Sequence, residues 1–329
     1  MIGYYVHHHG RGHLSRAIAI ARALAEPVTI LTSLPRSTEW SGPWVELPLD
    51  VDDDPPRDPQ AHGRLHWAPL RSAGLRSRMA AIASWIARTR PAAVVVDVSV
   101  EVALLCRLLG VPVVTIAMPG NRQDPAHDLG YAVSTAIVAA WPAASTALTD
   151  GLPEEVRARV RPVGAISRFA AADRAGHGPE RRVLVLSGSG GDDFAPALVT
   201  AAADATADWS WTHVGGSSGR WADDPWRLLR AAAVVVIHAG ENAVAEVAAA
   251  RRPAVIIPQT RPHQEQAATA RALVQAGCPV TVLRRFPRAG WPEILAQTAQ
   301  RDGEAWARWN DGEGARRAAA VIREVARDA

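Results

Sequence analysis

The sequence predicts an α/β protein with two doubly wound parallel sheets, and three observations carry that prediction. Short apolar runs alternate with helical stretches along the chain, as strands do when both sheet faces are covered by helices. The alternation stops at a polar run, Asp173 to Arg182, and restarts after it. At 329 residues the chain has room for two domains of ordinary size. The expected division is residues 1–165, a linker over 166–181, and residues 182–329.

The elements follow in order. Ile2 to His7 reads as a strand and Leu14 to Ala25 as the helix after it. Val28 to Thr32 and Trp44 to Leu47 read as strands, followed by a helical stretch from about Arg76 to Arg88. Ala93 to Val98 and Val113 to Ala117 are further strands, with a helix over Glu101 to Leu109 between them that stops at Gly110. In the second half, Val183 to Leu186, Trp211 to Val214, Val234 to Ile237 and Ala254 to Ile257 read as strands. Glu241 to Ala250 and Glu313 to Arg327 read as helices.

Composition removes several classes of function. Hydrophobic content of 48% and charged content of 21% are those of a soluble globular protein. All 36 basic residues are Arg. Without lysine there is no P-loop NTPase, pyridoxal-phosphate enzyme or protein kinase, because each needs one at its reacting centre. A net charge of +3 with dispersed Arg gives no support to a nucleic-acid partner. Cys106 and Cys278 both sit in apolar segments, as reduced core residues do. The start MIGYYV lacks a signal-peptide pattern, and no apolar run reaches 18 residues, so a cytoplasmic location is expected.

The most informative stretch is residues 238–266. His238, Ala239 and Gly240 form the turn between a buried strand and a helix. The free N–H groups at the start of that helix favour a phosphate. Asn242 and Glu246 are four apart, so they share a helix face, and a carboxylate there can take two ribose hydroxyls. The next strand ends at Pro258-Gln259, and its loop carries Glu265 and Gln266.

This ordered set resembles the donor-site signature of GT-B glycosyltransferases, in particular the UDP-glycosyltransferases and the MurG-like family. The resemblance implies two Rossmann-like domains facing a crevice, with the last helix packing back on the first. It implies His238, Ala239, Gly240, Asn242 and Ala243 for the donor diphosphate, Glu246 for ribose, and Glu265 with Gln266 for the sugar. Two positions depart from the family pattern: Glu241 stands where a Trp is common, and Ala243 where a phosphate-binding Ser is found. Ser187, Gly188, Ser189 and Gly190 form a second turn able to nest an anion. Trp221 is placed to stack on the base, with Trp226 as a nearby rival.

The first strand is followed by His7-His8-His9-Gly10-Arg11-Gly12-His13, similar to the Gly-His turn of GT-B enzymes. His13 is the expected general base for an acceptor hydroxyl. Asp97, at the end of its strand, is expected to orient that His or, alternatively, to cap the following helix, with Ser99 as the rival cap. Acceptor-side candidates are Gly12, Arg16, Asn121, Arg122 and His127, the last three in the polar loop Pro119 to Asp128. Asp52-x-Asp54 and the pair His7 and His9 are weighed as metal ligands and set aside, so neither metal nor cofactor is expected. The basic stretch from Arg64 to Arg90 reads as a surface helix packed on the sheet, with membrane contact the less favoured reading.

The implied activity is inverting, metal-independent transfer of a sugar from a nucleoside diphosphate to a small-molecule or lipid-linked acceptor. UDP or dTDP is favoured by the resemblance alone. A nucleotide-sugar 2-epimerase and a non-catalytic nucleotide-sugar-binding partner are the alternatives.

Overall fold

The computed structural model describes residues 1–8, 11–173, 181–188, 194–218, 220–222 and 224–328. The calls on His9, Ser189 and Gly190, and much of the expected linker, lie outside the described residues.

The first sheet is formed by β1 (Ile2–Val6), β2 (Val28–Thr32), β3 (Trp44–Glu46), β4 (Ala93–Asp97), β5 (Val113–Ala117), β6 (Ala136–Ala139) and β7 (Val160–Pro162). Every pairing is parallel, in the order β3-β2-β1-β4-β5-β6-β7. β1, β2, β4, β5 and β6 are buried along their whole length, which explains their unbroken apolar runs. The second sheet has β8 (Arg182–Leu186), β9 (Ser210–Val214), β10 (Val234–Ile237), β11 (Ala254–Ile256) and β12 (Val280–Val282). Its order is β12-β11-β10-β8-β9, again parallel throughout. β6, β7 and β12 are additional to the strands expected. Each has only three or four residues, too short to show a period.

Both orders are those of doubly wound sheets, and each has one point where the winding reverses. It lies between β1 and β4 in the first sheet and between β8 and β10 in the second. The carboxyl ends of those strand pairs are where such sheets bind ligands.

The chain forms two compact units, one of residues 1–140, 149–163 and 315 onward, the other of 141–148 and 164–314. It therefore passes between them four times, where a linker over 166–181 and a return of the last helix were expected. Gly164 N–H donates to Trp141 O at 3.0 Å, which ties residues 141–148 to the start of the second unit. Arg317 Nε donates to Val163 O at 2.7 Å, which ties the final helix, Gly314–Arg327, to the first.

Three local corrections bear on function. β1 ends at Val6, so His7 lies beyond the strand in which it was expected. The following helix is Arg11–Ala23, which moves Gly12 and His13 from a loop into its first turn. Asp50, at the start of the acidic, Pro-rich run Asp50 to Pro59 that the sequence reads as an exposed loop, is instead buried on Arg78. The helix Ala73–Thr89 turns Arg78, Ile82, Trp85 and Ile86 inward, so its apolar side is committed to the core. Among the described residues no helix is long and apolar enough to cross a membrane. Cys106 and Cys278 are free and buried, and burial pushes both thiols up to about 12.

Candidate functional site

In the first unit the reversal point brings His13 and Asp97 together. His13 and Arg16 are three residues apart on one helix, so they share a face, and both reach the end of β4. His13 Nδ1 lies 2.8 Å from Asp97 Oδ1. Arg16 donates from Nε to Oδ2 at 3.0 Å and from Nη2 to Oδ1 at 2.7 Å. Ser99, not Asp97, caps the next helix, its Oγ accepting from Val102 N at 3.2 Å, which leaves the Asp97 carboxylate to His13 and Arg16.

Burial opposes ionisation of Asp97, but the charges of Arg16 and then His13 outweigh it and hold the carboxyl well below the usual range. An ionised Asp97 can only accept, so His13 Nδ1 carries the proton between them, and the neutral form of the ring has its lone pair on Nε2. Tyr4, buried beneath, is held protonated by its burial and by the Asp97 charge. Val98, next along, has φ +60°, a strained setting for a β-branched residue of the kind found at functional sites.

The Asp97 group carries a pH signature. Its pKa is lowered on folding, so it stabilises the fold above about pH 4, the unfolded value, and that stability drains away as the pH falls further. Melting temperature measured from pH 6 to pH 2.5 is therefore expected to fall less steeply in Asp97→Asn than in wild type.

The same turn holds a second, similar arrangement that sequence reasoning missed. Arg78, 1% exposed, donates to Asp50 Oδ2, to Pro48 O and to Ser33 Oγ. The other oxygen of Asp50 lies 3.8 Å from His8 Nε2. No spacing rule links residues 8, 50 and 78; only the fold does.

An open cavity lies next to the dyad, lined by Val98, Ile116, Met118 and Tyr131, with His66 and His127 among its polar members. Arg16 Nη2 lies 3.8 Å from Met118 Sδ, so the cavity abuts the group that holds Asp97. Of the acceptor-side candidates, His127 lines this cavity and Gly12 sits in the first turn of its helix. Arg16 is a correction: at 2% exposure it is the counter-ion of Asp97, because a buried carboxylate needs a fixed positive partner. Arg122 is also turned inward, donating to Pro119 O from Nε and Nη2 and approaching His127 Nε2 at 3.2 Å. Asn121 is exposed and accepts from Gln123 N. His127 Nδ1 is 2.6 Å from Asp124 Oδ2, and burial pushes the imidazole down to about 4. Asp52 accepts from Gly74 N at 2.9 Å, a structural use of one acid from the Asp-x-Asp motif.

In the second unit the reversal point joins the turns after β8 and β10. His238 Nδ1 is 2.7 Å from Ile257 O, so this nitrogen carries a proton and Nε2 is the other face of the ring. The ring stacks on Phe194 with centroids 3.8 Å apart. Ala239 is buried, and the helix Glu241–Ala250 begins at Gly240, which has no side chain to cap the N–H groups of its first turn. A Cβ built on Gly240 would meet nothing within 4 Å, which leaves room for a ligand. Asn242 and Ala243 follow, half-buried, on that turn.

Glu246, one turn further, receives Arg168 Nε at 2.8 Å. Burial pushes its pKa up from the ordinary carboxylate value, and Arg168 partly offsets this. Arg168 lies over the Phe169 ring, 4.7 Å from its centroid, and Phe169 packs on Trp226 at 5.0 Å. Trp221, by contrast, is 68% exposed. The aromatic pair linked to Glu246 through Arg168 is that of Phe169 and Trp226, the rival to Trp221.

Two more placements follow from hydrogen bonding. Ser187 Oγ is 3.0 Å from His213 Nε2 and its N–H donates to Val214 O, so neither group points to a phosphate. Gly188, next to it, is exposed. Gln266, 5% exposed, accepts from Gln259 N at 2.8 Å through Oε1 and so braces the turn after β11. Glu265 is half-buried at the start of the helix Glu265–Gln275. It follows His263 and Gln264, both at positive φ (58° and 54°), a strained pair for residues with side chains.

Comparison with known proteins agrees with this arrangement. Residues 220–286 match the glycosyltransferase family 28 C-terminal domain. No curated protein matches the chain in sequence. Among solved structures it is similar to the glycotransferase of kitacinnamycin, with 17% identity over 98% of both chains and a TM-score of 0.68. It is also similar to MurG of Acinetobacter baumannii, with 16% identity over 98% of this chain and 99% of that one, TM-score 0.63. UGT89C1 of Arabidopsis thaliana matches at 15% identity over 99% of each chain, TM-score 0.65. At such identities the likeness is one of fold, the GT-B architecture of two Rossmann-like units.

Proposed function

We propose that this glycosyltransferase of the GT-B fold moves a sugar from a nucleoside diphosphate, UDP or dTDP, to an acceptor hydroxyl with inversion and without a metal ion. The observation that carries the reading is the hydrogen-bonded pair of His13 and the ionised, buried Asp97. His13 Nε2 takes the acceptor proton, and Asp97 holds the tautomer and stabilises the imidazolium that forms. The acceptor oxygen bonds to the anomeric carbon as the bond from that carbon to the diphosphate oxygen breaks. The uncapped first turn of Glu241–Ala250 supports the departing charge through its N–H groups and dipole.

Glu246 takes the ribose hydroxyls, exchanging its Arg168 contact for them, and the rings of Phe169 and Trp226 sit beside it for the base. The cavity beside His13 is lined chiefly by apolar side chains, which suits an acceptor with an apolar body. The nucleotide-sugar and such an acceptor are the partners this reading requires.

The donor half is tested by melting the protein with UDP, dTDP, GDP, CDP and NAD, in wild type and Glu246→Ala. A ligand at 100 times its Kd adds about 2.7 kcal/mol of stability. The expected outcome is stabilisation by one nucleoside diphosphate, lost in the variant. A response to NAD alone, or to no diphosphate, would remove the reading.

A further inference from the structure

We propose that His66, Asp124 and His127 form a binding site for a borderline divalent cation of the Zn²⁺ type, at the edge of the cavity in the first unit. The three residues present ligand atoms that all lie within 4.8 Å of one another. Their carboxylate stands between two imidazoles: His66 Nε2 is 3.4 Å from Asp124 Oδ1, and His127 Nδ1 is 2.6 Å from Oδ2. Bonds of about 2.0–2.1 Å from a tetrahedral zinc ion place neighbouring ligand atoms about 3.4 Å apart. The His66–Asp124 spacing already has that length. Two nitrogens and one oxygen suit zinc and its transition-metal neighbours over magnesium or calcium, which take oxygen ligands.

The residues are held in place from outside the cluster. The N–H groups of His66 and Trp67 both donate to Glu101 Oε1, at 2.7 and 2.9 Å, which pins the loop carrying His66. Asp124 caps the helix Pro125–Ala132, its Oδ1 accepting from His127 N at 3.1 Å, and the i, i+3 spacing puts both side chains on one face. His66 and Asp124 are about one-third exposed (37% and 34%), so an ion can reach them. His66 and His127 also line the cavity. Three protein ligands leave a tetrahedral ion one position for water or for an oxygen of a bound molecule.

Binding has a proton balance and an opposing charge. The ion takes the place of the proton on His127 Nδ1, and the neutral ring carries its proton on Nε2 instead, so this ligand releases none. The ring is then protonated at Nε2, where Arg122 Nη1 now lies 3.2 Å away, so the guanidinium has to turn aside and keep only its contacts to Pro119 O. Arg122 therefore limits affinity. These are not the histidines weighed for metal from sequence, because residues 66, 124 and 127 share no motif spacing and meet only through the fold.

The test is titration of chelator-treated full-length protein with Zn²⁺ by calorimetry in two buffers of different ionisation enthalpy, and with Co²⁺ by visible absorption. The expected result is one equivalent bound with the same enthalpy in both buffers, since His127 keeps its proton on the ring, and a tetrahedral Co²⁺ spectrum. Affinity should fall about 100-fold in His66→Ala and in Asp124→Asn, the latter keeping a helix-capping side chain, and rise about tenfold in Arg122→Gln. Failure of wild type to bind one equivalent would overturn the proposal. So would equal affinity for Mg²⁺, or unchanged binding in His66→Ala and Asp124→Asn. The readout uses no nucleotide or acceptor, so it stands or falls apart from the transfer reading.

Discussion

Replacing His13 with alanine is expected to lower the rate of sugar transfer about 10²- to 10⁴-fold, the contribution typical of a positioned general base. Stabilisation by the nucleoside diphosphate should be unchanged, because the donor residues lie on other elements. The expectation rests on the tautomer: Asp97 is buried and ionised, so His13 offers Nε2 as a lone pair. Initial rates at saturating donor, set beside melting curves with the nucleotide, separate the two effects. Undiminished transfer by the variant would assign the proton to another group.

Removing Arg16 is the other large effect expected. Arg16→Met leaves the fully buried Asp97 with His13 as its one remaining charged partner, and a buried charge stripped of its main counter-ion costs about 3–5 kcal/mol. For a unit of this size that is a fall of about 10 °C in Tm. The double variant Arg16→Met/Asp97→Leu is expected to recover most of the stability, since an apolar pair of similar volume avoids the desolvation cost. It should not recover transfer, because His13 loses its orienting carboxylate. Equal stability of Arg16→Met and wild type would show that Asp97 is compensated elsewhere.

What was legible in the sequence follows from which physical signals are local. β10 and its helix could be read because four apolar residues, a small-residue turn and an amphipathic run lie in one stretch. His13 and Asp97 could be paired because both stand at carboxyl ends of strands in one sheet, where such sheets gather their chemistry. The counter-ions were not legible. Arg16 was placed with the acceptor, yet it lies on Asp97, and nothing in its own neighbourhood marks an Arg that the fold will bury. Arg168 on Glu246 and Arg78 on Asp50 are long-range partners of the same kind. Ser187 and Gln266 carry the residue types of ligand-binding turns, but their hydrogen bonds go to His213 and Gln259. A polar side chain near a site serves either the ligand or the backbone, and residue type does not distinguish the two.

The central claim is transfer by the His13–Asp97 pair, and release of nucleoside diphosphate tests it most directly. Wild type and His13→Ala would each be mixed with UDP- and dTDP-sugars, with and without a panel of apolar alcohols and phenols, and the diphosphate measured by chromatography. The account predicts release that depends on an acceptor in wild type and falls at least 100-fold in the variant. Release that ignores the acceptor, or that persists in His13→Ala, would contradict it.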